Sequence, residues 1–273
     1  MEIQWSLLLF SALAGAGGSL LAFTGIAELM GKAPKGKKTN LIVVLVLVIA
    51  GGLFSVLHLE QKANIMAAAA NVFSFSAISM ELIFVGLVAV MAIVYLVCTA
   101  REVAEAAVKA VAVIGIVVGL LLGYVTGSGY QMGAMPYWDT PALPLAYLGT
   151  DLALGAALYG LLALVAKDDA QGALPAQFAV VGAALSLVLC LAYGATSGFA
   201  LEPVLFWLGV IVLGGVANTA VAAAALKQPG NVALYGAAVV FACIASVCLR
   251  AYMWALGTGT LDLFGAAADH LVL

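Results

Sequence analysis

Two ionisable residues stand at the edges of neighbouring apolar runs. His58 closes one run and Glu81 opens the next, within LFSVLHLEQKANIMAAAANVFSFSAISME, residues 53–81, and Asn64, Asn71, Ser74, Ser76 and Ser79 lie between them. Two such runs that cross a bilayer in opposite directions bring His58 and Glu81 to the same membrane edge. An imidazole and a carboxyl placed there suit the oxidation of a quinol, which releases two protons and two electrons. His58 would hydrogen-bond one hydroxyl and take its proton, and Glu81 would relay the proton to water. An acid within a membrane helix marks a site or a pathway, although one this shallow is also placed to snorkel to water. No side chain of this type holds electrons, so they must leave to a redox centre on another chain.

Two further charges fall inside apolar segments. Arg250, in CLRAYMWALG, is either a snorkelling anchor with its aromatic belt or an arginine that pairs with an acid or receives a partner subunit. Asp151 falls about ten residues into the fifth run, near mid-membrane. It reads either as a buried acid hydrogen-bonded to Asn218 or as part of a proton path. His58 is the one histidine near a helix, since His270 lies in the C-terminal tail, so a haem held by two transmembrane histidines cannot be built. Cys98, Cys190, Cys243 and Cys248 sit in apolar runs without a Cys-x-x-Cys pair and read as small buried hydrophobes, with no metal site.

The elements that must position these groups follow from composition. Of 273 residues, 66% are hydrophobic and 8% charged, and the mean hydropathy is +1.20, too little polar surface for a soluble domain. The expectation is an all-α polytopic membrane protein, a single integral domain of eight helices at about 5–30, 40–59, 77–98, 108–127, 142–165, 175–198, 204–226 and 231–254, grouped as two four-helix bundles. Glu2 stands where a cleaved leader would carry a basic residue, so the first run reads as a retained helix. The net charge of -3 offers no basic patch for nucleic acid.

Eight of the ten Lys and Arg fall in the odd-numbered loops, which the positive-inside rule puts in the cytoplasm, with both termini outside. His58 and Glu81 then belong to the outer rim, and the stretch from Glu60 to Phe75 is expected to lie along the interface. The loop GSGYQMGAMPYWDTP is also outside. Its Tyr130, Tyr137 and Trp138 form either an aromatic belt or, with Pro136 and Pro141, a place for a partner. A proton- or ion-coupled transporter using Asp151, Asn218 and Glu81 is the alternative reading, weakened by the lack of matching Gly/Pro breaks in the two halves.

Glu2, Trp5, Phe10, the pair His58-Leu59, Asn71 with Ser76, Ser79 and Glu81, then Pro136, Trp138, Thr140, Pro141 and finally Arg250 with its aromatics together resemble the membrane anchor subunit of the dimethyl sulfoxide reductase family of molybdopterin enzymes. The resemblance covers nearly the whole chain. It implies a haem-free, eight-helix anchor in the bacterial cytoplasmic (inner) membrane that oxidises menaquinol near the outer face in anaerobic respiration. Electrons would pass to a ferredoxin-like iron–sulfur subunit docked there, which feeds a molybdopterin catalytic subunit. It also implies His58 and Glu81 as the catalytic pair, and a quinol site of His58, Asn71, Ser76, Ser79, Glu81 and Arg250. The sequence departs from the family at Glu60, Gln61 and Lys62, where Gly, Pro and Arg are usual, and at Ser246, where an acid is usual four residues before the arginine.

Overall fold

A computed structural model describes residues 2–57, 72–199 and 204–269, all helix, turn and connection, with no strand among them. Eight helices are long and apolar enough to span a membrane. They are α1 (Trp5–Leu29), α2 (Lys37–Leu57), α3 (Ala77–Ala100), α4 (Glu105–Ser128), α5 (Ala142–Val165), α6 (Leu174–Thr196), α7 (Val204–Lys227) and α8 (Val232–Asp269). The chain is therefore a multi-pass, all-helical membrane protein. α7 begins with wide, π-type turns over Val204–Ala217 and continues as α-helix over Asn218–Lys227. α8 does not end near residue 254, as expected, but runs on to Asp269.

α1 is the central post. It is largely buried and packs on α2, α4 and α5, while α5 in turn packs on α6 and α8. Without a hydrophobic force between helices in lipid, close backbone approach and packing must hold them, which small residues permit. The α1–α4 crossing shows this directly. A Cβ on Gly18 would come within 2.6 Å of the Gly119 carbonyl oxygen, and a Cβ on Gly119 would collide with Gly18 in return. α2 and α3, by contrast, keep most of their apolar side chains on the outside of the bundle, where lipid covers them.

Polar contacts close the end of the bundle that carries most of the lysines. Lys37 Nζ pairs with Glu28 Oε2 at 2.6 Å, and the Tyr95 hydroxyl donates to the same oxygen at 3.0 Å, tying α1, α2 and α3 together. The Lys35 amide and the Gln171 Nε2 both donate to Asp168 Oδ2, at 2.6 and 2.9 Å, joining the first loop to the α5–α6 loop. A cavity of about 410 Å³ opens at this end among Lys167, Asp168, Asp169, Pro229, Gly230 and Tyr235. It lies at the opposite end of the helices from Glu81.

Candidate functional site

The start of α3 is built by serines. Ser76 is its N-cap, accepting from the Ser79 amide at 3.3 Å, and the Ser79 hydroxyl donates back to the Ser76 carbonyl at 2.9 Å. The hydroxyls of Ser74, Ser76 and Ser79 lie 2.8–3.2 Å from one another. Such a cap satisfies amides that the first turn would leave without partners. Phe75, just before it, adopts a φ of 52°, turning the chain sharply into the helix. The cap sets Glu81 in the second turn of α3, on the face toward the end of α4. A Cβ at Gly129 would meet Glu81 Oε1 at 2.8 Å and Ala77 Cβ at 3.8 Å.

Tyr130 follows Gly129 and is the hub of an aromatic group. Its ring lies 6.0 Å from Trp138, 5.8 Å from Tyr147 and 6.0 Å from Trp254, while Trp138 and Trp254 meet edge to face at 5.3 Å. The Trp138 indole donates to the Met253 carbonyl at 2.8 Å, fastening the α4–α5 loop to α8. Burial raises the Tyr130 phenol above its ordinary pKa, the Glu81 charge adds to that, and Arg250 opposes it. Tyr130 is thus a neutral phenol within electrostatic reach of both Glu81 and Arg250.

Arg250 lies beneath this group, with no exposure to solvent or lipid. Its Nη2 pairs with Asp151 Oδ1 at 2.9 Å, also fully buried. Its Nε donates to Ser11 Oγ at 2.8 Å, and its Nη1 to Ser246 Oγ at 2.7 Å and to Thr150 Oγ1 at 3.2 Å. The guanidinium also stacks over the Tyr147 ring, 4.3 Å from its centroid. Three helices, α1, α5 and α8, therefore meet on one cation. A buried charge is tolerated only with such partners. Asp151 fits because Gly15 of α1 leaves its place empty: a Cβ there would occupy the position of the carboxylate.

Of the site residues read from the sequence, His58 and Asn71 lie outside the described residues, as does most of the stretch expected to lie along the interface. Ser76 and Ser79 are beside Glu81 in the chain, with their hydroxyls engaged in the cap. Arg250 is no snorkelling anchor; of its two readings, the pairing with an acid is the one observed. Asp151 is held by that arginine and not by Asn218, whose Nδ2 has no hydrogen-bond partner among the described residues. Ser11 and Tyr147 escaped notice in the sequence because a hydroxyl or ring inside an apolar run signals nothing until its facing helix is known. Ser246 stands where the family resemblance puts an acid; here it accepts from Arg250, and the negative charge comes from α5 instead.

A family model described as the DMSO reductase anchor subunit (DmsC) matches residues 1–258. A search of curated proteins found no match.

Proposed function

The chain belongs to the DMSO reductase anchor subunit family, and from that premise we propose that it binds and oxidises a quinol, of the menaquinol type, at the outer membrane face. Family membership implies association with catalytic and electron-transfer subunits of a reductase complex. In the proposed complex these are a molybdopterin subunit and a ferredoxin-like iron–sulfur subunit, the latter docked at the Glu81 end of the bundle in a bacterial cytoplasmic membrane.

The observation that carries the proposal is Glu81, a carboxyl inside a spanning helix, aimed at the end of α4 beside a buried aromatic group. Carboxyls are placed in such surroundings at a cost, which function repays. Quinol oxidation breaks two O–H bonds and gives up two protons and two electrons. In the proposed step His58 accepts one hydroxyl proton, Glu81 accepts the other or relays it to water, and the electron pair leaves to the iron–sulfur subunit. Arg250 supports the site from below, through Tyr147, with its donors spent on Ser11, Thr150, Ser246 and Asp151. The transporter alternative used Asp151, Asn218 and Glu81, and of these Asp151 is paired with Arg250 and makes no hydrogen bond to Asn218 among the described residues.

The test is the rate at which a menaquinol analogue reduces the iron–sulfur clusters of the co-purified complex, with assembly verified in each variant. His58→Ala and Glu81→Gln are each expected to slow reduction by roughly 100-fold or more, the scale of a lost general acid–base group. Wild-type rates in both variants, in an assembled complex, would leave the chain a purely structural anchor.

A further inference from the structure

The turn that ends α4 is the part of the Glu81 surroundings that neither the sequence motif nor the family match assigns. Gly129 is the residue against which the Glu81 carboxylate rests. The 2.8 Å between Oε1 and the place of a missing Cβ is shorter than any real contact to a methyl group, so the carboxylate takes its present direction only because residue 129 has no side chain. The obstacle a methyl would meet is the far end of a flexible side chain, with backbone and Ala77 at ordinary distance. Substitution here would therefore redirect Glu81 without breaking the α3–α4 contact.

Tyr130, the next residue, is within electrostatic reach of Glu81 and is held by its aromatic neighbours. Trp138, Tyr147 and Trp254 surround its ring, and Trp138 is itself tied to α8. Its position at the α4 end is thus defined to within the packing of three rings, which makes it a rigid surface and not a swinging gate. A quinol ring is flat and apolar with polar groups at two ends. It needs a planar partner for its face and an acceptor at its edge. Tyr130 at the α4 end supplies the first, and Glu81 of α3, resting against Gly129, the second.

Resting on the functional reading above, we propose that Gly129 and Tyr130 form the α4 wall of the quinol site, Gly129 setting the direction of the Glu81 carboxylate and Tyr130 presenting the aromatic face for the ring. Gly129 is a positioning residue, and Tyr130 is a binding residue. The two therefore separate kinetically. Moving an acceptor by about 1 Å slows the chemical step by on the order of 100-fold, whereas removing an aromatic contact weakens binding by roughly two- to tenfold.

The experiment measures kcat and KM for a menaquinol analogue on the intact complex in membranes, for Gly129→Ala, Tyr130→Phe, Tyr130→Leu and the double variant Gly129→Ala with Glu81→Asp. Glu81→Gln is run beside them. Gly129→Ala is expected to lose kcat with KM nearly kept, and the shorter Asp in the double variant to regain part of it, since it withdraws the carboxylate from the new methyl. Tyr130→Leu is expected to raise KM roughly two- to tenfold with a smaller effect on kcat, and Tyr130→Phe, which keeps the ring, to raise KM less than Tyr130→Leu does. Wild-type kinetics for Gly129→Ala and Tyr130→Leu, alongside loss in Glu81→Gln, would overturn the α4 wall alone. Wild-type kinetics in Glu81→Gln would overturn the quinol-site reading and this inference with it.

Discussion

Arg250 and Asp151 pair directly, both fully buried, with three hydroxyls and one ring around the guanidinium. A pair of this kind adds little net stability over apolar residues of the same size, but removing one partner strands the other. Asp151→Ala is accordingly expected to destabilise the protein by about 3–5 kcal/mol, read as a lower denaturation midpoint in detergent. The double change Asp151→Leu with Arg250→Met is expected to recover most of that loss. A double variant as unstable as the single one would mean that the pair itself holds α1, α5 and α8 together. The two charges were legible as anomalies in apolar runs, and their partnership was not. Arg250 looked terminal because α8 was expected to stop near 254; continued to Asp269, the helix carries Arg250 well inside the bundle. Hydropathy says how deep a residue sits along its own helix but not which neighbour it faces.

At the scale of the helix, the expected runs at 77–98 and 142–165 begin where α3 and α5 do, behind Ser76 and Pro141, whereas α8 runs past its expected end at 254 to Asp269. The packing partners were hidden, because a membrane helix is apolar on every side and carries little amphipathic stripe to mark its inner face. What marks the inner face here is small side chains. Gly18 and Gly119 bring α1 and α4 to backbone contact, with carbonyl groups and not flexible side chains in the way. Gly119→Ala therefore has no soft neighbour to displace. It is expected to cost about 1–3 kcal/mol, the usual range for overpacking, measurable as reduced thermal stability and yield of the purified subunit. The same change at Gly52, where an added Cβ meets nothing within 4 Å, is expected to be silent and serves as the control.

For the whole molecule, the number of spans was legible from composition alone, since each needs about 20 apolar residues and the chain breaks them with short polar stretches. Of the candidate site, Ser76, Ser79 and Glu81 were legible as one local stretch, while His58 and Asn71 lie outside the described residues; the Gly129–Tyr130 turn that faces Glu81 belongs to a segment some fifty residues away, which no local motif connects to it. The proposed sidedness rests on the basic residues, eight of ten of which lie in loops or adjoining helix ends at one end. On that proposal the Glu81 end is the outer face, with a consequence for energetics. A quinol oxidised there releases its two protons on the side where a catalytic subunit docked at the same end takes up protons and electrons. No charge then crosses the bilayer in a full cycle. Turnover by the purified complex in sealed vesicles, followed with a potential-sensitive dye, is thus expected to give no membrane potential beyond that of vesicles without quinol. A potential that grows with turnover would require protons or electrons to cross the helices, and would move quinol oxidation away from the Glu81 end or the catalytic subunit to the opposite face.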